Sequence, residues 1–365
     1  MGECFLSLLI YAMICIFSYF IIKEQYLKQE QSKTKINYMS MLSVSILFTL
    51  YNVYLTKSHG ILSLDRGNYL FEFQGYRYVK SIGLQWIFDI VHLIGGNIYT
   101  VFYLTTFLCV LLSLIAYKKA DFADYRIFPL LMMSEWFFNT VTLLKQCYAC
   151  AFAMLFFAYV LKPKTPKNII LSLIFAIVAF LFHTSGVILI PVFIAINFKQ
   201  MKEWWTIVAL LLLFIITFLL RPILLISSNV IADISPILAE KIIHYFIEGD
   251  TSGSAFSIVK WIPFYYIVFM GIIFKDTLKD KIFNYNKFLI VSAVAACMAL
   301  FSANIYWFYR FLFLFYLPAF SYYIMMNSTL RKEENKLINN CVVYGVSGVV
   351  FVRWFILMYI NCGGF

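Results

Sequence analysis

Apolar segments of roughly the length of a membrane-spanning helix recur along the whole of this chain. Of its 365 residues 63% are hydrophobic and only 13% are charged, whereas ordinary soluble domains are about 25% charged. A hydrocarbon core of about 30 Å requires about 20 apolar residues per helix. By that measure, spans are predicted near 4–22, 39–56, 98–117, 127–144, 147–161, 168–183, 185–198, 204–220, 258–274, 288–303, 307–327 and 338–360. The sequence therefore predicts an all-α polytopic membrane protein of about 12 transmembrane helices and leaves no room for a sizeable soluble domain.

Lys and Arg concentrate in alternate connections between these spans. The connections near 23–35, 118–126, 162–167, 199–202, 275–287 and 331–336 hold 19 of the 29 Lys and Arg residues. Cytoplasmic loops of membrane proteins carry such an excess of basic residues. We therefore predict these connections on the cytoplasmic side, and read the net charge of +11 as a topological signal and not as a nucleic-acid site.

Two long connections, about 57–97 and 221–257, then lie outside the cell. Each contains an amphipathic run, SIGLQWIFDIVHLIG in the first and SPILAEKIIHYFIEG in the second, that suits an interfacial or re-entrant helix. Such amphipathic outer loops would cover a helical bundle. We predict one integral membrane domain over residues 1–365. The N-terminal run MGECFLSLLIYAMICIFSYFII lacks a basic region and a cleavage site, which is typical of a retained span.

One predicted helical hairpin carries two polar signals at the same end. TLLKQCYACAFAMLFFAYV is followed by the basic turn LKPKTPK and then by NIILSLIFAIVAFLFHTSGVILIP. If the basic turn is cytoplasmic, Lys145-Gln146 and His183 meet near the outer membrane surface. Charged residues at membrane depth are functional candidates because they are costly there.

Further charged residues are predicted on the same outer side, and they come from three connections: Asp65, Arg66, Arg77, Arg221 and Arg310. Arg and Lys hold phosphate oxygens and stabilise the charge of a departing diphosphate, and a carboxylate or imidazole can accept a proton from a sugar hydroxyl. Each residue also has a structural interpretation. Lys145 could snorkel, His183 could cap the HTSG turn, Asp65 could pair with Arg66 in a turn, and Arg221 and Arg310 could anchor the interface. The clustering on one side favours function.

The eight cysteines indicate packing and not metal binding. Cys147 and Cys150 are three residues apart on one predicted helix, and no matching ligand pair occurs elsewhere, so no zinc site is predicted.

At these residues the sequence resembles the EpsG/Wzy-type bacterial polysaccharide polymerases. The similar segments are LDRGNY at 64–69, Lys145-Gln146, FHTSG at 182–186 with Pro191, and Tyr309-Arg310. The chain departs from the family pattern at two positions. Lys145 replaces an Arg and so lacks the bidentate fork, and Ser63 stands where a Gly usually precedes the loop Asp, with the basic residue displaced to Arg66.

The resemblance implies a GT-C-like helical bundle in the bacterial cytoplasmic membrane. Its implied activity is transfer of a growing glycan from undecaprenyl diphosphate to the non-reducing end of another lipid-linked repeat, without metal, cofactor or nucleotide sugar. Asp65 or His183 is then the candidate base, and the candidate diphosphate or oligosaccharide contacts are Arg66, Lys145, Gln146, Arg310 and Arg221. The bilayer is an implied partner, and a chain-length regulator is a candidate one.

Four alternatives remain open. An O-antigen ligase would use the same donor, and a flippase or transporter of lipid-linked glycan could line a cavity with the same cations. A sugar transferase acting on polyprenyl phosphate would usually have an acidic pair near the first outer loop, and Asp65 has no neighbouring acid, which argues against it. An acyltransferase would place its His toward the cytoplasm, so the predicted outward position of His183 argues against it.

Overall fold

The computed structural model describes residues 2–32, 38–59, 64–120, 143–198, 254–304 and 308–330, together with isolated positions between 208 and 243. The described residues form helices and connecting turns, with no strand among them. The α-helices are α1 (Gly2–Ser32), α2 (Tyr38–His59), α3 (Leu64–Phe73), α4 (Ile82–Leu93), α5 (Ile98–Lys119), α6 (Leu144–Val160), α7 (Pro166–Phe182), α8 (Leu189–Phe198), α9 (Ser254–Ile273), α10 (Lys275–Lys281), α11 (Tyr285–Asn304), α12 (Tyr309–Leu312) and α13 (Tyr316–Leu330). Two 3₁₀ turns, Thr184–Ile188 and Phe313–Phe315, precede α8 and α13.

Four helical segments of the described chain are long and apolar enough to cross a membrane. They are Tyr38–Lys57, Ile98–Lys119, Tyr285–Ser302 and Arg310–Leu330, which confirms the helices predicted at 39–56, 98–117, 288–303 and 307–327. The described part of the chain is therefore all-helical, as predicted, and its long apolar helices are those of a membrane protein.

The other predicted spans fall into two groups. Those at 147–161, 168–183 and 185–198 are apolar helices shorter than 18 residues in the structure, and the segments at 4–22 and 258–274 fall on the helices α1 and α9. The spans predicted at 127–144 and 338–360 lie wholly or almost wholly outside the described residues, and 204–220 is described only at isolated positions. The total of about twelve spans stays a prediction.

The chain divides into two compact units, with the boundary between Ile190 and Pro191. The first unit is organised around α6, which packs against α5 and α7. All residues of α6 are buried except Lys145, Phe152 and Tyr159. A helix that is apolar on every side belongs in the interior of a bundle, so α6 holds its N-terminal Lys145 and Gln146 in a packed setting.

The hairpin of α6 and α7 follows the predicted pattern closely. Its turn is set by Thr165, whose side chain accepts a hydrogen bond from the backbone N–H of Asn168, and by Pro166 at the first helical position; both residues are typical of a helix start. The two helices are joined by stacked aromatic rings, among them Tyr148 on Phe182 with centroids 4.5 Å apart. This packing brings the start of α6 beside the end of α7.

The predicted outer loop at 57–97 is largely helical. It contains α3 and α4, and α4 coincides with the predicted amphipathic run. Ser81 caps α4 and also donates its hydroxyl to the carbonyl of Phe182 at 2.7 Å. A Cβ on Gly83 would lie 2.7 Å from the Phe182 ring, so the glycine permits a close approach of α4 to the end of α7. The segment is thus held against the hairpin.

The second unit contains the described helices from α9 onward. In it α9 and α11 pack together, and the Tyr285 hydroxyl donates to the Gly271 carbonyl at 2.7 Å. The ring of Tyr322, on α13, stacks on Phe288 with centroids 5.7 Å apart. Arg310 lies in α12 and is half-buried.

Candidate active site

An ion pair joins α3 to the start of α6. The ammonium of Lys145 donates to Oε1 of Glu72 at 2.9 Å, and the two side chains are only 18% and 10% exposed. The same ammonium lies 5.3 Å from the centroid of the Tyr69 ring, within the range of a cation–π contact. Snorkelling toward the interface therefore does not account for Lys145 by itself, because its charge is paired with Glu72 inside the first unit.

The neighbouring residue, Gln146, connects α6 to the turn that follows α7. Gln146 is 2% exposed, and its Nε2 donates to the hydroxyl of Ser185 at 3.2 Å. The Ser185 hydroxyl in turn lies 2.8 Å from Nδ1 of His183. The structure thus brings Gln146 and His183 together through Ser185, at the end of the hairpin where the sequence placed them.

The hydrogen bonds at His183 define its tautomer. The backbone N–H of Ser185 donates to Nδ1 of His183 at 3.1 Å, so the ring caps the 3₁₀ turn Thr184–Ile188, as one of the sequence interpretations expected. A backbone amide can only donate, and an imidazole nitrogen that accepts carries no proton. The ring proton of neutral His183 is therefore on Nε2, where it is a hydrogen-bond donor.

The turn after His183 depends on a glycine. A Cβ at Gly186 would lie 2.5 Å from the backbone nitrogen of Phe180 and 2.7 Å from the backbone carbon of Ala179. Real Cβ atoms essentially never come within 3.0 Å of another heavy atom. Only glycine therefore lets the turn fold back on α7 and keep Ser185 beside Gln146.

Arg66 is the largest fully buried side chain among the described residues, with 0% exposure. Its guanidinium donates to Oδ1 of Asn52 at 2.7 Å and to the Thr56 hydroxyl at 3.0 Å, and it lies 4.4 Å from the centroid of the Phe102 ring. Burial lowers the pKa of Arg66 to about 10, which leaves it charged at neutral pH. Arg66 therefore fixes α3 to α2 and α5.

A family model, described as the EpsG family, matches residues 64–362. This stretch begins at α3 and includes every residue of the candidate site. The chain belongs to the EpsG family. The resemblance expected from the sequence is thereby confirmed, and it agrees with a general role in polysaccharide polymerisation. The comparisons with curated proteins and with solved structures returned no match.

The remaining predicted site residues of this EpsG-family protein either are not described at the level of the side chain or have no described contact with Lys145, Gln146 or His183. The backbone of Asp65 is in the first turn of α3, so it is helical and not part of a turn; its side chain lies outside the described residues, as does Arg221. Arg310 belongs to the second unit. Arg77 donates to Oδ1 of Asn68 at 2.6 Å on an exposed surface.

Sequence reasoning missed two residues of the EpsG-family site. Ser185 was part of a recognised motif but received no role, although a hydroxyl two residues after a capping His can reach its ring. Glu72 was overlooked because residues 57–97 were treated as a loop. The available signal was its position seven residues after Asp65, which on a helix is two turns along one face.

Proposed function

We propose that this protein polymerises undecaprenyl-diphosphate-linked oligosaccharide repeats at the outer face of the cytoplasmic membrane. It transfers the growing glycan to the non-reducing end of another lipid-linked repeat and releases undecaprenyl diphosphate. The observation that carries the proposal is the set of buried and half-buried polar side chains formed by Glu72, Lys145, Gln146, Ser185 and His183 in a member of the EpsG family. A GT-C-like bundle of about twelve spans, with outer loops at 57–97 and 221–257, belongs to the same proposal.

Lys145 is proposed to hold the diphosphate. An ammonium has three N–H donors, and Glu72 takes one of them among the described residues. The others can bind phosphate oxygens, and charge-assisted bonds of this kind strengthen as the leaving group gains charge. His183 can give its Nε2–H to a phosphate or sugar oxygen, so its tautomer favours a donor role over the role of base.

The proposed transfer requires one proton acceptor. The acceptor hydroxyl oxygen forms a bond to the anomeric carbon of the donor glycan, the bond from that carbon to the diphosphate oxygen breaks, and its electron pair leaves with undecaprenyl diphosphate. The hydroxyl proton passes to a base, which the sequence assigned to Asp65 or His183. Gln146 positions the His183 turn through Ser185, and Arg310 and Arg221 stay proposed contacts to diphosphate or oligosaccharide.

Arg66 is proposed to act from within the fold. Because its guanidinium is buried against Asn52 and Thr56, its contribution to diphosphate binding is a long-range positive charge and the placement of α3. Direct contact between Arg66 and the diphosphate stays a prediction that requires α3 to move.

Reconstitution tests the polymerase against its alternatives. Purified protein in liposomes, supplied with lipid-linked repeat alone, should convert the repeat into a ladder of chain lengths. Movement of intact repeat across the bilayer without chain growth would favour the transporter, and growth only on an added lipid A core would favour the ligase. A chain-length regulator, as the candidate partner, should narrow the ladder without being needed for its formation.

Glu72 alters one argument against a sugar transferase that uses polyprenyl phosphate. Asp65 and Glu72 give α3 two acids, seven residues apart in sequence, so Asp65 is not the single acid of this segment. The EpsG family match favours the polymerase, and a monosaccharide donor on polyprenyl phosphate should be inert in the liposome assay.

A further inference from the structure

We propose that Glu72 is a catalytic residue of the transfer, and that its carboxylate accepts the proton of the acceptor hydroxyl. The inference rests on the proposed polymerase function and deepens it, because it names the base. Glu72 belonged to none of the motifs that the sequence analysis recognised, and it emerges only from the contacts of α3 with α6.

The two carboxylate oxygens of Glu72 differ in their surroundings. Oε1 accepts from Lys145 at 2.9 Å. Oε2 is buried and has no hydrogen-bond partner within the described part of the chain. Buried polar atoms are almost always satisfied in native proteins, and an exception calls for an explanation such as a missing ligand. A sugar hydroxyl would supply the missing donor.

Lys145 places this oxygen beside the reacting groups. The ammonium bound to Oε1 is also the cation proposed to hold the diphosphate. The diphosphate leaving group and the Glu72 carboxylate would therefore both contact the same ammonium, that of Lys145. This places the carboxylate within a few Å of the anomeric carbon, close enough to accept a proton from the hydroxyl that attacks it.

The other two candidates fit the role less well. His183 accepts at Nδ1 from the Ser185 backbone, so its Nε2 carries a proton and cannot accept another. Asp65 lies in the first turn of α3, seven residues before Glu72, which is about 10 Å along a helix at 1.5 Å per residue. The described contacts of α3 with the Lys145 ammonium are at Glu72 and at the ring of Tyr69, and of these two residues only Glu72 is an acid.

A modest movement opens the oxygen to substrate. About a tenth of the Glu72 side chain is exposed, so part of it already reaches the surface. The terminal torsion of Glu is soft and roughly two-fold. When the diphosphate attracts the ammonium, the carboxylate can turn about this torsion and present the second oxygen to the hydroxyl.

The test compares single-site variants in liposomes with lipid-linked repeat as the substrate. Glu72→Gln keeps the shape and an acceptor for Lys145 but cannot take a proton. Loss of a general base costs about 10²–10⁴-fold in rate, and we expect this loss in kcat with KM for the repeat within about threefold. In Glu72→Ala, added formate should restore a measurable part of kcat, since it supplies a carboxylate in the vacated space.

Asp89→Asn is the matched control. This acid lies in the same outer segment, exposed on α4, where it accepts from Gln85 at 2.7 Å. It should retain the wild-type kcat. Thermal unfolding in detergent checks that each variant is folded. If Glu72→Gln does not fold, Glu72→Asp decides, because shifting a base by about 1 Å can cost about 10²-fold.

Two results would overturn the inference. The first is a folded Glu72→Gln, or a folded Glu72→Asp where that variant decides, with kcat within about threefold of wild type; if KM is raised at the same time, Glu72 only positions Lys145. The second is the absence of formate rescue in folded Glu72→Ala. Each requires a wild-type protein that forms the ladder. A wild-type protein that forms none would instead refute the proposed function.

Discussion

Replacing Ser185 with Ala tests the polar connection between α6 and the turn after α7. The substitution removes the hydroxyl that accepts from Gln146 at 3.2 Å and lies 2.8 Å from Nδ1 of His183. Gln146 is 2% exposed, and its amide nitrogen then keeps a weak contact to the sulfur of Cys150 at 3.7 Å. A buried donor left without a good partner costs about 1–3 kcal/mol, so we expect the free energy of unfolding to fall by about 2 kcal/mol.

The catalytic effect of Ser185→Ala should be smaller than that of His183→Ala. The His183 ring keeps its bond from the Ser185 backbone N–H, so its orientation and tautomer survive. A lost hydrogen bond of about 1 kcal/mol corresponds to about fivefold in rate. His183→Ala removes the donor altogether and should abolish long-chain glycan. Both rates are measured as ladder formation from lipid-linked repeat in liposomes.

A double-mutant cycle isolates the contact itself. Ser185→Ala and Gln146→Leu are measured singly and together by thermal unfolding in detergent, and residues in direct contact should show a coupling of at least about 0.5 kcal/mol. Thr184→Ala is the control, because Thr184 is the sequence neighbour of Ser185 but its side chain is exposed. Additive effects within about 0.3 kcal/mol would refute the connection between α6 and the turn.

Substitutions at three further positions test the rest of the site. Gly186→Ala should lower the free energy of unfolding by about 2 kcal/mol, because its Cβ would lie 2.5 Å from the backbone nitrogen of Phe180; a wild-type melting temperature would contradict this. Arg66→Ala removes two charged hydrogen bonds and should cost about 3 kcal/mol, with Arg66→Lys losing less; equal stability of all three proteins would show that the buried contacts do not hold α3. Lys145→Arg should keep both the ion pair with Glu72 and the ladder of chain lengths. Lys145→Ala leaves the Glu72 carboxylate buried and unpaired, so it should lower the free energy of unfolding by about 3–5 kcal/mol and remove long-chain glycan. A normal ladder from Lys145→Ala would reject the diphosphate role.

The hairpin could be predicted from sequence because its signals are local. The basic turn, Thr165 and Pro166 define where α7 begins, and the apolar runs on either side fix two helices. Two helices joined by a short turn must run antiparallel. Gln146 and His183 lie at the ends of the two helices that are farthest from the turn, so the hairpin brings them close together. In the structure Ser185 connects them.

The burial of Arg66 could not be predicted in this way. Its partners are Asn52 and Thr56, two uncharged polar residues inside a span that the sequence treats as uniformly apolar. Which face of α2 meets α5 is decided by packing of both helices, and a single sequence does not reveal it. Arg66 was therefore grouped with the cations of the outer surface.

The importance of Glu72 was hidden for a related reason. The search for a base considered acids and imidazoles in recognised motifs, and Glu72 belongs to none. Only the helical geometry of α3 places it two turns after Asp65, and only the packing of α3 against α6 gives it Lys145 as a partner. Short helices outside the membrane spans are difficult to recognise from hydropathy, since they have neither the length nor the uniform apolar character of a membrane-spanning helix.

The most direct test of the proposed function is a structure of the protein with a lipid-linked oligosaccharide repeat bound. We expect density for the diphosphate within hydrogen-bond distance of the Lys145 ammonium and of Nε2 of His183, with the sugar extending toward Glu72. A diphosphate held elsewhere, with Lys145 still bound only to Glu72, would contradict the account.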